Sequence, residues 1–300
     1  MLDHGEFVAK EDGRNCCRHY SIELDRQMRE RVMLADELRG AIGRGELELY
    51  YQPEVELATG RILGLEALLR WRHPARGLVS PAQFIPIAER NGCIVAIGQW
   101  VFEEACRQFR AWEDDGIAPG VLAVNFSAVQ FKAAADLERD VEASLKRWRV
   151  PPGRIEVELT ESVLMEASEI RGGILGRLRR IGLRIALDDF GTGYSSLSYL
   201  TTYPVSRLKI ARQIVAGVTT EPRCAVVVRT AIRLARELGM EFLAEGVETP
   251  AQATFLVAAA CEQAQGFYFS QPVPAARAAE LLREGHIGTA SQPPKIVTAA

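Results

Sequence analysis

The sequence predicts an α/β barrel in which short strands alternate with helices. Strand-like runs occur near 121–125, 155–159, 184–189, 207–210, 241–245 and 264–269, and helical segments separate them. This alternation is typical of parallel βα units. Several of these runs end in an acidic or amide residue, and the carboxyl ends of barrel strands form one rim. A chain of 300 residues also suits this fold, since such a barrel uses about 250.

The elements follow in order from the amino end. A first helix is predicted over 21–43, where apolar residues recur at helical spacing among many charges, and Gly43 ends it. Residues 47–53 form a strand, and a turn at 58–60 returns the chain into a second strand over 61–66. This pair is a hairpin, which differs from an all-parallel barrel. Later helices are predicted over 81–90, 94–114, 134–148, 166–181, 195–200, 222–239, 250–260 and 275–283.

Composition excludes several classes of function. The net charge of −3 and the pI of about 5.9 argue against a basic face for DNA. No run of 18 apolar residues predicts a membrane span, and the acidic amino terminus does not resemble a signal peptide. Six scattered cysteines suit a reducing cytoplasm, mostly as small buried hydrophobes. Cys16 and Cys17 offer the alternative of a metal or redox pair.

Four segments are expected along the chain. Residues 1–20 look like the end of a preceding unit, and 21–43 form a linker helix. Residues 44–286 form the barrel. The tail over 287–300 is rich in Ser, Thr, Pro and Ala without periodicity, so we expect it to be disordered.

Carboxylate and amide side chains at the strand ends predict a metal site. The set comprises Glu66, Asn125, Glu158, Asp188, Asp189 and Glu245. Oxygen ligands of this kind suit Mg²⁺ or Mn²⁺. Alternation along a strand allows one aspartate to face the barrel axis while the other leans into the loop, so the pair can flank two cations. Any one of these carboxylates, taken alone, can instead be a helix cap or a surface charge.

Lys209 lies inside an apolar strand, where a charge is unfavourable unless it is paired. Near carboxylates it can hold an attacking water, or take its proton if its pKa is lowered. The alternative is a lysine that reaches outward to solvent. Arg70, four residues beyond Glu66, suits bidentate contact with phosphate. Gln52 and Gln265 can read a base edge or a ribose, or be structural.

The chain resembles the EAL domain family of cyclic di-GMP phosphodiesterases, from about residue 34 to 284. The motifs that carry the resemblance are Tyr51-Gln52-Pro53, Glu66-Ala67-Leu68-Leu69-Arg70-Trp71, Phe84-Ile85-Pro86-Ile87-Ala88-Glu89, Val124-Asn125-Phe126-Ser127, Glu158-Leu159-Thr160-Glu161, Asp188-Asp189-Phe190-Gly191-Thr192-Gly193-Tyr194, Leu208-Lys209-Ile210, Ala244-Glu245-Gly246-Val247-Glu248 and Gln265-Gly266-Phe267.

The resemblance implies a TIM-like (β/α)8 barrel with an antiparallel first strand, and hydrolysis of cyclic di-GMP to linear pGpG. It implies two divalent cations, Mg²⁺ or Mn²⁺, with Ca²⁺ inhibitory. Asp188 would bridge the cations, and Lys209 would serve the nucleophilic water. Glu161 and Glu248 would support the ligands, and Leu69 would contact substrate. The first cation would take the ligands Glu66, Asn125, Glu158, Asp188 and Glu245, and the second would take Asp189. A homodimer through the loop after Asp189 is a further hypothesis.

Residues 3–20 resemble the last helix and turn of a GGDEF domain, and the helix after them resembles a GGDEF–EAL linker. We therefore expect that the chain derives from a longer protein with an upstream GGDEF or sensor domain. Taken by itself, the stretch is also consistent with a simple amphipathic lead-in.

One position departs from the family pattern. The family usually has Lys-x-Asp where this chain has Lys209-Ile210-Ala211, and Ser206 replaces another usual aspartate. Loss of an outer partner of a metal site typically costs about 10–100-fold in affinity or activity. The sequence therefore favours an active but slow phosphodiesterase. The alternative is a weakened module that acts as a cyclic di-GMP receptor or binds a protein partner.

Overall fold

The computed structural model describes residues 22–132, 134–161, 163–164, 173–192 and 198–288. Its strands are β1 (Leu47–Glu56), β2 (Ile62–His73), β3 (Gly77–Val79), β4 (Val121–Asn125), β5 (Ile155–Thr160), β6 (Arg184–Phe190), β7 (Arg207–Ile210), β8 (Glu241–Ala244), β9 (Gln263–Gln265) and β10 (Val273–Pro274). Its helices are α1 (Ile22–Arg39), α2 (Pro81–Asn91), α3 (Ile94–Asp114), α4 (Ala128–Lys132), α5 (Ala134–Trp148), α6 (Ile174–Ile181), α7 (Ser198–Thr202), α8 (Arg212–Ala216), α9 (Pro222–Glu237), α10 (Pro250–Ala258) and α11 (Ala275–Glu284).

Eight of these strands close into a barrel. β2, β4, β5, β6, β7, β8 and β9 are parallel neighbours in that order, and β1 closes the ring by pairing antiparallel with both β2 and β9. The short strands β3 and β10 pair outside the ring, on β2 and β1. The expected (β/α)8 barrel with an antiparallel first strand is confirmed.

Most predicted elements match, and α3 and α5 have the expected bounds. β2 is longer than expected, because it continues from Glu66 to His73 as the partner of β1 and β3. The last barrel strand is shorter, since β9 ends at Gln265 and the chain turns at Gly266. The preceding unit expected at 1–20 lies outside the described residues, as do 166–172 of the predicted helix over 166–181 and the segment 193–197.

The expectation of disorder from residue 287 onward is wrong at its first residue. Ile287 is 8% exposed, and its N–H donates to the carbonyl of Gly60 at 2.8 Å. An apolar side chain that can be buried beside the β1–β2 turn stabilises this end of the chain. Residues 289–300 lie outside the described part of the protein.

The core continues from the barrel wall into the helices. Trp71 and Phe84 pack edge to face, with ring centroids 5.6 Å apart, and join β2 to α2. The end of α1 packs against this region through Leu34 and Leu38, which are both buried. Among the helices of the described ranges, none combines the length and the apolar character that crossing a bilayer requires.

Candidate active site

Polar side chains fill the barrel in two levels. The upper level, at the carboxyl ends of the parallel strands and the adjoining part of β1, contains Gln52, Glu66, Asn125, Glu158, Asp188, Asp189, Lys209, Glu245 and Gln265. Glu54, Glu156 and Arg207 lie two residues from Gln52, Glu158 and Lys209 on the same strands, because a strand returns to the same face every second residue. Together with Arg184 and Glu241, at the starts of β6 and β8, they form the lower level. Barrel interiors are usually packed with branched apolar side chains, so both levels call for a specific explanation.

Lys209 is fully buried in the upper level. Its Nζ atom forms a short ion pair with Oε1 of Glu158, lies 2.8 Å from Oε1 of Glu245 and is 3.9 Å from Oε2 of Glu66. Burial lowers the pKa of this lysine, but the surrounding carboxylates outweigh it and raise the pKa well above its usual value. This arrangement favours a protonated Lys209 that acts as a charged donor. The alternative role of proton acceptor, which requires a lowered pKa, is disfavoured by these contacts.

Glu66 is held by two amides. Nδ2 of Asn125 donates to Oε1 of Glu66 at 2.7 Å, and Nε2 of Gln265 donates to Oε2 at 2.6 Å. Gln265 also donates to Oε1 of Gln52 at 3.0 Å, and Gln52 in turn donates to the carbonyl of Ser270. This chain of bonds fixes the carboxylate on one wall of the barrel.

Asp188 and Asp189 occupy a bulge in β6. Leu187 pairs with Leu208 and Phe190 with Ile210, so both aspartates stand opposite Lys209 alone. Such a bulge re-aims side chains at the end of a strand. Asp189 adopts the left-handed conformation, with φ of 54°, which aspartate tolerates better than most residues. Both carboxylates consequently approach Glu245, and one oxygen of each of the three lies within 4.8 Å of the others.

The segments around the bulge are tied to neighbouring loops. Oε1 of Glu161 accepts a hydrogen bond from the N–H of Gly191 at 2.8 Å, two residues after Asp189. Glu248 forms an ion pair of 2.5 Å with Arg212, at the start of α8. These contacts are consistent with the supporting positions that the family resemblance implies for the two glutamates.

An open cavity of about 290 Å³ lies above the upper level. Its lining residues are Gln52, Glu66, Leu68, Asp188, Asp189, Arg212, Glu245, Gly246, Glu248, Gln265, Gly266 and Phe267. Leu68 lines the cavity, whereas Leu69, which was expected to contact substrate, packs against the hydrophobic core. The cause is strand alternation, which places Leu69 on the opposite face from Glu66 and Leu68. Arg70 is back on the inward face, with its guanidinium 5.5 Å from the centre of the Tyr50 ring.

The donor set fits a divalent cation of the Mg²⁺ or Mn²⁺ kind. Asp188, Asp189 and Glu245 offer oxygen atoms close together, and Oε2 of Glu158 is buried with no hydrogen-bond partner. Burial raises the pKa of Glu158 and of Glu245 well above the usual value; the charge of Lys209 opposes this in part, and the neighbouring carboxylates add to the rise. Burial and then Asp188 raise the pKa of Asp189 as well. Positive charge brought among these groups would relieve their repulsion.

Arg207 organises the lower level, which the residues at the strand ends did not predict. Its Nη1 atom lies 2.7 Å from Oε2 of Glu54 and 2.8 Å from Oε1 of Glu156, and its Nη2 atom lies 2.9 Å from Oε2 of Glu241. Burial lowers the pKa of Arg207, but the three carboxylates together raise it by more, so the pKa lies above its usual value. The sequence did contain a signal for this level. Arg207 precedes Lys209 by two residues, and Glu156 precedes Glu158 by two, so each pair points to the same face of its strand.

Ala211 is fully buried just past the end of β7 and is the N-cap residue of α8. It forms no side-chain cap, because its methyl group cannot accept a hydrogen bond. The absent carboxylate noted in the sequence would therefore stand at a helix start, next to the strand that carries Lys209.

Known proteins are similar in sequence to this chain over most of its length. Residues 35–272 match the EAL domain family. The bifunctional diguanylate cyclase/cyclic di-GMP phosphodiesterase MucR of Pseudomonas aeruginosa is 43% identical over 273 residues, which is 91% of this chain and 40% of MucR. The cyclic di-GMP phosphodiesterase NbdA of the same species is 38% identical over 275 residues, which is 92% of this chain and 35% of NbdA. The chain thus spans two fifths or less of the length of these curated relatives.

Solved structures give the same picture. The PaMucR phosphodiesterase in complex with c-di-GMP is 45% identical and superimposes with a TM-score of 0.78, covering 82% of this chain and 99% of that one. The EAL domain of Mycobacterium smegmatis DcpA is 35% identical with a TM-score of 0.69, covering 81% of this chain and 100% of that domain.

Proposed function

The chain belongs to the EAL domain family, and from that premise we propose that it is a cation-dependent phosphodiesterase that hydrolyses cyclic di-GMP to linear pGpG. The observation that carries the proposal is the grouping of Asp188, Asp189 and Glu245 beside the charged Lys209 on the floor of an open cavity. The names of MucR and NbdA, which are cyclic di-GMP phosphodiesterases, support the choice of substrate.

We assign two cations, Mg²⁺ or Mn²⁺, to the upper level. Glu66, Asn125, Glu158, Asp188 and Glu245 would hold one, and Asp188 and Asp189 would hold the other. When bound, the cations would supply Lewis acidity that activates water and neutralises charge on the phosphate. Ca²⁺, which tolerates looser and larger coordination, would inhibit.

Water attacks one phosphorus of the cyclic dinucleotide in the proposed reaction. A new P–O bond forms, the bond to the 3′ oxygen breaks, and that oxygen leaves with a proton, so the linear product keeps a 5′ phosphate. Lys209 is protonated and anchored between Glu158 and Glu245, so it donates hydrogen bonds to the water or to the phosphate oxygens and stabilises developing negative charge. A carboxylate of the upper level accepts the proton of the water.

Substrate contacts are assigned to Gln52 and Gln265, which line the cavity, and to Arg70, which lies outside that lining. Arg70, on the inward face of β2, suits a phosphate oxygen. Gln52 and Gln265 already hydrogen-bond to each other at 3.0 Å, so their remaining amide atoms can meet a ribose or a base edge.

The cellular location and the oligomeric state of the domain are proposed from other observations. We place it in the cytoplasm, where cysteines such as the buried Cys106 and Cys261 stay reduced. A homodimer through the loop after Asp189 remains a proposal, because residues 193–197 of that loop lie outside the described part. Sedimentation at micromolar concentration that shows monomer alone would contradict it.

The proposed function is tested by incubating the purified chain with cyclic di-GMP and resolving the products by chromatography. We expect pGpG with Mg²⁺ or Mn²⁺, and none with Ca²⁺, with EDTA or in a Glu66→Gln variant. A matched control is Glu142→Gln, an exposed glutamate paired with Lys146 on α5, which should retain wild-type turnover. Nucleotide binding without product would instead indicate a receptor.

A further inference from the structure

Three buried carboxylates meet where the two levels touch. Glu54 and Glu156 of the lower level and Glu158 of the upper level each offer an oxygen within 4.8 Å of the others, and all three side chains are fully buried. Oε1 of Glu54 and Oε2 of Glu158 have no hydrogen-bond partner. Three like charges in a low-dielectric interior repel strongly unless cations compensate them.

Cationic side chains of both levels provide this compensation, and one of them is Arg184, whose Nε atom lies 3.1 Å from Oε2 of Glu156. Arg207 serves Glu54 and Glu156 through the same nitrogen, at 2.7 and 2.8 Å, and its far edge binds Glu241. Lys209, two residues along β7, serves Glu158 and Glu245 above. The division is geometric, because the planar guanidinium can bind several carboxylates at fixed angles whereas the ammonium is a point charge.

Loss of Arg207 would upset this division. Among the described residues, Glu54 would then have no counterion, and Glu156 would keep only Arg184, whose Nε atom lies 3.1 Å from its Oε2 atom. Lys209 lies on the same inward face of the same strand, so its flexible side chain would be drawn down toward them and away from Glu245. The carboxylates of the upper level would lose their internal cation.

We propose that Arg207 is a positioning residue: by neutralising Glu54 and Glu156 it keeps Lys209 in the upper level, and the net charge of the lower level thereby sets the cation affinity of the site above. The kinetic part of this inference rests on the proposed phosphodiesterase function. The cation-binding part does not, because it can be measured without substrate.

The test uses Mn²⁺ titration calorimetry alongside steady-state kinetics of the full chain. For Arg207→Gln we expect Mn²⁺ to bind roughly tenfold more tightly, since a positive charge is lost and Lys209 no longer competes for the ligands. We expect kcat to fall at least about tenfold and KM to change by less than about threefold. Tighter cation binding combined with slower turnover separates positioning from simple destabilisation, which would weaken both.

A variant that removes a negative charge from the lower level is the matched comparison to Arg207→Gln, which removes a positive one. Glu54→Gln removes a negative charge, so it should weaken Mn²⁺ binding by roughly tenfold. The double variant Arg207→Gln/Glu54→Gln should return both Mn²⁺ affinity and kcat toward wild type. Arg154→Gln is the control, because that arginine binds the carbonyl of Pro119 at 2.8 Å and contacts neither level.

Two results would overturn the inference. One is a folded Arg207→Gln protein with wild-type Mn²⁺ affinity and kcat. The other is a shift in the same direction for Arg207→Gln and Glu54→Gln. If Arg207→Gln alone does not fold, Glu54→Gln and the double variant decide, and unchanged Mn²⁺ affinity in Glu54→Gln contradicts the proposal. Wild-type protein that binds Mn²⁺ as expected but makes no pGpG would refute the proposed function instead.

Discussion

The Nζ atom of Lys209 lies 2.8 Å from Oε1 of Glu245, although the first residue is within β7 and the second follows β8. The pairing of adjacent parallel strands, in which Lys209 aligns with Leu243, brings the two together at the rim. Lys209 is fully buried, and the carboxylates around it raise its pKa more than burial lowers it, so we expect it to contribute charge and hydrogen bonding to the proposed hydrolysis.

Lys209→Met should therefore abolish most of the turnover. We expect kcat to fall by about 10²–10³, as it does when one donor that stabilises developing negative charge is removed. Mn²⁺ binding should persist or become tighter, because the lysine no longer competes for Glu158 and Glu245. Kinetics and Mn²⁺ titration measure the two effects, with the exposed Lys146→Met as control. Turnover within about tenfold of wild type would refute the assigned role.

Two substitutions at Asp189 distinguish the effect of its left-handed backbone on stability from the effect of its charge on turnover. Asp189→Asn preserves a side chain that tolerates φ of 54°, so stability should stay close to wild type while turnover is lost. Asp189→Ala should lose turnover and about 1 kcal/mol of unfolding free energy, because alanine adopts the left-handed backbone without a side-chain hydrogen bond to offset the strain. Urea unfolding and product assays give both quantities. An active Asp189→Asn protein would show that this carboxylate is dispensable.

Ala211→Asp tests the departure from the family pattern. A carboxylate at the start of α8 would stand beside the strand of Lys209, and we expect turnover to rise by about tenfold, within the range known for outer partners of metal sites. Ala211→Asn is the control, because it can cap the helix without adding charge. Equal rates for the alanine and aspartate proteins would mean that the departure has no catalytic weight.

Glu241 links the lower level to acid stability. Burial raises its pKa, but Arg207 and Arg184 outweigh burial and lower it from 4.5 to about 2. A carboxyl whose pKa is lower in the folded state stabilises the fold above its unfolded pKa of about 4.5, and the contribution is lost as pH falls toward 2. With a side chain 39% exposed, screening by water reduces the effect at neutral pH to about 1–2 kcal/mol.

The free energies of unfolding of wild type and Glu241→Gln should accordingly differ most near pH 7 and converge between pH 4.5 and 2. Urea titrations at a series of pH values measure this difference. Glu280→Gln, an exposed glutamate paired with Arg277, serves as the control. A difference that is the same at both ends of the range would contradict the linkage.

Strand ends and periodicity in the sequence predicted much of the site. The positions of Glu66, Glu158 and Lys209 followed from acidic or basic residues that interrupt apolar runs, and the order of strands around the barrel brought them together. The hairpin of β1 and β2 was equally clear from its turn. What the sequence indicated less well was strand length, since β2 continues beyond Glu66 through pairing with β1 that no local pattern reveals.

The bulge at Asp188 and Asp189 could not have been predicted from alternation, which placed the two carboxylates on opposite faces. Register between neighbouring strands is a tertiary property, and the left-handed residue appears only once β6 pairs with β7. The packing of Leu69 against the core could not be predicted for a related reason, because its face depends on which side of β2 closes the barrel. The protonation of Lys209 also required the three-dimensional arrangement of its carboxylate neighbours.

Hydrolysis of cyclic di-GMP in water enriched in ¹⁸O, with Mn²⁺ present, distinguishes a cation-dependent phosphodiesterase from a nucleotide receptor. We expect the wild-type protein to form pGpG that carries one ¹⁸O atom on its 5′ phosphate, and EDTA to suppress this product. Bound but intact nucleotide would refute phosphodiesterase activity, and product that lacks the label or forms equally well in EDTA would refute cation-dependent attack by water.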